Sequence, residues 1–350
     1  MATPIIISIV GLRLLLHHSL KNSPYCYPQK SEVLFPTSLL SNGSGNSIRR
    51  LQLSWCVFST TIGLDCLKNL TSLSLHDVRI TGDELRCLLS NSTALEHLNL
   101  TYCSKISCLN IPSHMKRLRC LSLVLCERIQ VLLAESLHVK QIELSMESAI
   151  SYARVKLPSV VPNLERLSIC SPCEVLSLFQ TVKSFLVLSY VALTLHGAAF
   201  SDAYDCFSLV SFLNAAPSLE TFVLALSQLR MQLKSIIGDP SPLRQMVGHC
   251  HNHLKTVKII GFCSAKSLVE LACYILENAA SLDCLTLDTT LGFPRCSANK
   301  LVKCLLPMGR DMVVESNKAL LAIGEFIEGK VPPAVKLNVL GPCNLCSLFV

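Results

Sequence analysis

Four side chains in one short stretch carry metal-ligand chemistry: His249, Cys250, His251 and His253 in "HCHNH". Two Cys-x-x-Cys pairs, Cys170/Cys173 and Cys343/Cys346, add thiols at a spacing that zinc uses. A structural zinc site needs four converging nitrogen or sulfur ligands, usually as two paired spacings. Here the two pairs lie far apart in the chain, Cys170 directly follows the apolar strand position Ile169, and the histidines fall in a polar stretch that reads as a surface loop. The expectation is no bound metal. Motifs for catalysis are missing as well: there is no Gly-x-Ser-x-Gly, no GxxxxGK[ST], no GxGxxG and no HExxH. With so many Cys and His residues, any nucleophile–base pair picked from sequence is a free choice. The chain is therefore expected to be no enzyme and to use no cofactor.

The elements that would position any site have a clear signature. The pattern apolar-x-x-apolar-x-apolar occurs at Ile48/Leu51/Leu53, Leu70/Leu73/Leu75, Leu95/Leu98/Leu100, Leu118/Leu121/Leu123 and Val139/Ile142/Leu144. It continues at Leu164/Leu167/Ile169, Leu188/Val191/Leu193, Leu219/Phe222/Leu224, Leu254/Val257/Ile259 and Leu282/Leu285/Leu287. Successive first positions are 21 to 25 residues apart as far as Leu188, and 28 to 35 apart beyond it. The shorter steps match the period of leucine-rich repeats. One triplet means nothing; ten in near-register predict an α/β leucine-rich-repeat solenoid, a curved parallel sheet with helices and irregular turns on its convex side. The last two apolar positions of each triplet are two residues apart, so they share one face of a strand and point into the core.

Return segments show helix signals. Thr81 and Glu84 have the spacing of a capping box, and Leu85, Leu88 and Leu89 form an apolar stripe behind them. Ser267 and Glu270 suggest a second cap, followed by a face of Leu268, Leu271, Ala272, Ile275, Leu276 and Ala279. A third helix is ended by Pro217, and "SNKALLAIGEFIEG" predicts a late helix before a strand in "AVKLNVL". Cysteine recurs three residues after the last strand leucine, at Cys56, Cys103 and Cys126. A thiol there can act as a small buried residue and weak donor.

Function is expected on the outward strand positions. Those read as the candidate concave binding face are Arg50, Gln52, His76, His97, Asn99, Gln141, Glu143, Arg166, Tyr190 and Lys258, with Ser72, Ser74, Ser168, Thr256, Thr286 and Asp288 between them. The set is polar, mixed in charge and nearly without aromatics; the only tryptophan, Trp55, falls just past a strand. Nucleic acid would want a basic stripe with stacking platforms, so no nucleic-acid partner is expected.

"LSLHDVRITGDELRCLL" and "LNLTYCSKI" resemble the cysteine-containing repeats of F-box/LRR proteins. Leu254–Asp288, "LKTVKIIGFCSAKSLVELACYILENAASLDCLTLD", resembles the FBD module that closes many plant chains of that family. The resemblance implies a non-catalytic recognition scaffold for an unknown protein substrate of an SCF-type ubiquitin ligase. An F-box would hold the SCF adaptor, but residues 1–47 are rich in Pro, Ser, Gly and Asn and carry no such pattern. Adaptor binding is therefore not expected.

The remaining features set bounds. In 350 residues half are hydrophobic, 16% are charged and the net charge is +7, so a large core is available and wholesale disorder is excluded. The layout reads as a degenerate cap or leader with linker (1–47), regular repeats (48–226), an inserted loop (227–253), an FBD-like pair (254–290) and a C-terminal cap (291–350). Ile5 to Leu16 is apolar but too short to span a bilayer; Ile7, Val10 and Leu12 also fit the comb, and no membrane partner is expected. Nineteen cysteines set within apolar periodic segments point to reduced thiols and a cytoplasmic or nuclear location. The competing readings are a secreted or membrane-proximal recognition protein, with sequons at Asn42, Asn69, Asn91 and Asn99, and a truncated gene product without independent function.

Overall fold

The computed structural model describes residues 5–10, 34, 48–59, 67–126, 131–134, 138–172, 184–196, 205–227, 234–245, 249–290 and 308–343; for 5–10 and 131–134 it describes the backbone alone. The chain divides into two compact units, Met1–Met146 with Ser159–Asn163, and Glu147–Pro158 with Leu164–Val350.

In the first unit the comb becomes a parallel ladder. Its strands are β1 (Ile5–Val10), β2 (Ile48–Ser54), β3 (Ser72–His76), β4 (His97–Thr101), β6 (Cys120–Val124) and β8 (Gln141–Ser145), paired in that order. Leu51, Leu73, Leu98, Leu121 and Ile142 stand opposite one another in register, as do Leu53, Leu75, Leu100, Leu123 and Leu144. All ten are at most 3% exposed. Burial of each such side chain stabilises the fold by about 1.5–3 kcal/mol. In β1 the register differs from the sequence expectation: the backbones of Ile7 and Ile9, rather than Val10 and Leu12, pair with Leu51 and Leu53.

Behind this sheet, β5 (Cys108–Ile111) pairs in parallel with β7 (Val131–Ala134) on the return side. The helix Gly82–Asn91 begins with the expected capping box: the Thr81 N–H donates to Glu84 Oε2 at 2.8 Å, and the Glu84 N–H donates to Thr81 Oγ1 at 3.3 Å. Leu85, Leu88 and Leu89 are its buried stripe. A methyl at Gly82 would meet the Cys108 carbonyl oxygen at 3.0 Å, so the helix start approaches β5 closely.

In the second unit β9 (Arg166–Ser171), β10 (Tyr190–His196), β11 (Thr221–Ser227), β12 (Thr256–Ile260), β13 (Cys284–Asp288) and β14 (Lys336–Leu340) form another parallel ladder. Leu167, Val191, Phe222, Val257 and Leu285 line its inward face. The late helix runs from Arg310 to Phe326, starting earlier than the sequence suggested.

The helix Lys266–Asn278 departs from expectation in two ways. It buries every residue from Leu268 to Leu276 instead of a single face. Ser267 does not cap it: Ala265 occupies the N-cap, and Ser267 Oγ accepts from the Cys206 N–H at 3.3 Å. Glu270 is turned to another task, because its fully buried carboxylate is claimed by Arg244. Arg244 gives its backbone N–H and its Nε to the two carboxylate oxygens, each at 2.8 Å, and its other nitrogens reach Asp205 at 2.6 and 2.8 Å. A buried carboxylate without such a partner is costly, so the cation decides the role of Glu270.

Candidate functional site

Four strands of the first unit end in the same way. Two residues past the last inward leucine, Trp55, Asp77, Tyr102 and Leu125 adopt left-handed backbone, with φ of 52°, 48°, 56° and 51°. For residues with a Cβ this conformation costs about 1–3 kcal/mol. It is held by a row of bonds in which each N–H donates to a carbonyl of the next strand: Trp55 to His76, Asp77 to Thr101, Tyr102 to Val124 and Leu125 to Ser145, at 2.7 to 3.0 Å. The turn throws the following residue inward, and Cys56, Val78, Cys103 and Cys126 are at most 4% exposed. Here the recurring cysteines find their use. The Cys103 thiol donates to the Leu75 carbonyl at 3.6 Å and the Cys126 thiol to the Leu100 carbonyl at 3.4 Å, one repeat back in each case. Burial pushes the Cys56 thiol up to about 11, and the contact with Cys126 together with burial pushes Cys103 up as well. These are structural thiols.

The same turn throws its own side chains outward. Trp55 is 38% and Tyr102 48% exposed, large values for aromatic rings. The His76 ring, on the strand between them, makes edge contacts with both, at centroid distances of 5.2 Å to Trp55 and 5.5 Å to Tyr102. The three residues form an aromatic row across three repeats, with exposed Asp77 beside it.

Around this row the alternation places the expected residues on the outward side. Arg50, Gln52, His97, Asn99, Gln141 and Glu143 are exposed, and His76 is half-buried. Thr101 Oγ1 donates to Asn99 Oδ1 at 3.1 Å and Ser122 Oγ to Glu143 Oε2 at 2.8 Å. In the second unit the Arg166 guanidinium lies 3.9 Å from the centre of the Tyr190 ring, a cation–π contact, and Lys258 is half-buried. Asp288 departs from the alternation, which predicts it outward: it is 1% exposed, and its carboxylate accepts from the Thr290 N–H and hydroxyl at 2.9 and 2.7 Å.

Sequence reasoning missed the aromatic row. Trp55 and Tyr102 lie beyond the strands, where alternation says nothing about direction. The available signal was their common place two residues after the last leucine.

The polar-loop reading of "HCHNH" fails for His251, which is 5% exposed. Its N–H donates to the Asn278 carbonyl at 2.8 Å, and Tyr274 Oη lies 3.4 Å from its Nε2. Burial lowers its pKa. Among the described residues no three His, Cys, Asp or Glu side chains converge as metal ligands; Cys173 and Cys346 lie outside those residues. Among the same residues no helix is long and apolar enough to cross a membrane.

Parallel ladders with one strand per repeat, inward apolar triplets and outward polar positions define a leucine-rich-repeat solenoid of α/β class, a fold that is in general a non-enzymatic scaffold for protein interaction. The family described as "At1g61320/AtMIF1, LRR domain" matches residues 18–133 and 127–344, and the chain belongs to that family. No curated protein matches the chain.

Proposed function

We propose that the outward face of the first unit binds a partner protein, with Trp55, His76 and Tyr102 as its anchor. The exposed aromatic row carries this reading. Trp and Tyr are the residue types that most often dominate protein–protein binding energy, because they bury much area with little loss of side-chain freedom. The surroundings favour protein over nucleic acid: among the outward strand positions of β2 to β8, only Arg50 and Glu143 are charged. Such a face lacks the basic stripe that a phosphate backbone needs.

A finer reading comes from the resemblance to F-box/LRR and FBD chains. On it, the bound protein is a substrate presented for ubiquitin transfer, in the cytoplasm or nucleus. Residues 1–47 hold no F-box pattern, so this chain by itself is expected to leave the SCF adaptor unbound. A copurifying adaptor that survived washing would overturn that part.

The test is comparative capture from a cell extract. Trp55→Ala/Tyr102→Ala should lose the captured protein, while Arg86→Ala, on the exposed side of the Gly82–Asn91 helix, should retain it. Equal capture by both variants, or loss only with Arg86→Ala, would remove the aromatic row from the binding site.

A further inference from the structure

Two side chains of complementary reactivity meet on the outward face of the second unit. Cys170 holds an outward position in β9, and His196 ends β10. The strands pair in register with Cys170 opposite Thr194, so His196 is the next same-face residue along the neighbouring strand. Cys170 Sγ lies 3.2 Å from His196 Nε2. With the imidazole proton on Nδ1, that distance lets the thiol donate to Nε2. Both side chains are seated on a sheet, because the adjoining inward residues Ile169 and Leu195 are at most 1% exposed. Cys170 is half-buried and His196 exposed, so a small reagent can reach the sulfur.

The contrast with the other thiols is direct. Burial pushes the pKa of Cys56, Cys206 and Cys263 upward, Cys263 to about 12, and a thiol so placed is inert. Cys87 is exposed on the Gly82–Asn91 helix, where no imidazole bonds to its sulfur among the described residues. Cys170 has an imidazole within hydrogen-bond reach of its sulfur, which is the arrangement that activates a sulfur nucleophile.

We propose that Cys170, with His196 as its base, is a covalent modification site for hydrogen peroxide. The His196 Nε2 takes the Sγ proton, and the thiolate attacks one peroxide oxygen. An S–O bond forms as the O–O bond breaks, and the departing hydroxide takes the proton back from the imidazolium and leaves as water. Sulfur is oxidised to a sulfenic acid and the peroxide oxygen is reduced, so atoms and electrons balance. The modification converts a weak donor on the outward face, four residues along the strands from the Arg166/Tyr190 pair, into a polar acceptor. This site lies apart from the aromatic row and stands whether or not that row binds a protein.

The experiment uses the full chain in its folded state. Each cysteine's rate of reaction with iodoacetamide near neutral pH is read by peptide mass spectrometry, and sulfenic acid is trapped with dimedone after a peroxide pulse. Cys170 should alkylate about tenfold faster than Cys87 and carry the main dimedone label. His196→Gln, at an exposed strand end, should bring its rate to within about twofold of Cys87 without moving the urea midpoint, and His196→Lys, which places a positive charge beside the sulfur and favours its thiolate, should recover part of the lost rate. A Cys170 no faster than Cys87, or one that keeps its rate in His196→Gln, would overturn the proposal. So would a shifted urea midpoint in His196→Gln combined with no recovery in His196→Lys.

Discussion

The repeats that end in Trp55, Asp77, Tyr102 and Leu125 and the segment around Arg244 and Glu270 lock their neighbours by different physics. In the first, each strand is tied to the next by the same short devices: one backbone bond at a left-handed turn and, at Cys103 and Cys126, one thiol–carbonyl contact. In the second, the lock is ionic and long-range in sequence. Arg244 joins Asp205 to Glu270 with its guanidinium 4.6 Å from the centre of the Phe207 ring, and Lys266 Nζ reaches Asp239 at 3.1 Å. The difference teaches why only the first region can offer a regular outward row. A turn repeated at a fixed place brings equivalent side chains side by side, whereas the segment around Arg244 spends its polar groups on a helix.

That contrast should appear as different sensitivities to substitution. Leu98→Ala removes buried methyl groups between Leu73 and Leu121 and should cost about 2–5 kcal/mol, read as a fall in the urea midpoint. Damage should spread to adjoining repeats first, since each is stabilised by its neighbours. Arg244→Met leaves the Glu270 carboxylate buried without its cation. The loss should be about 2–3 kcal/mol, below that of a fully buried pair because Arg244 is half exposed. Equal effects of high salt on wild type and Arg244→Met would contradict an ionic lock.

A pH test isolates His251. Burial lowers its pKa below the ordinary 6.5, so the unfolded chain binds the proton more readily than the folded one. Its contribution is fully present above pH 6.5 and is lost as pH falls toward the lower folded value. Wild type should therefore lose more thermal stability between about pH 7.5 and pH 5.5 than His251→Phe does; parallel curves would contradict a buried neutral imidazole. The smallest effect belongs to Asn99→Ala, on the exposed face, at about half a kilocalorie per mole. A loss as large as that of Leu98→Ala would mean the alternation is misassigned.

Much of this was legible from spacing alone, because an apolar triplet is a direct statement about which side of a strand is dry. Leu51, Leu98 and Phe222 follow that rule, as does the Thr81/Glu84 cap, whose partners lie three residues apart. The failures share a cause. The roles of Glu270 and Ser267 depend on Arg244 and Cys206, distant in sequence, and local pattern cannot weigh a distant cation against a nearby helix end. Trp55 and Tyr102 were hidden because a left-handed turn redirects side chains once the strand period has stopped.

Trp55, the only tryptophan in the chain, lies in the aromatic row proposed as the contact surface and reports on it directly. Its emission can be followed while the protein retained by wild type and lost by Trp55→Ala/Tyr102→Ala is titrated in, with the partner's own signal subtracted. The emission should change saturably, and acrylamide quenching should fall as the half-exposed ring is covered. An unchanged spectrum and unchanged quenching, with binding shown independently by sedimentation, would contradict that proposal.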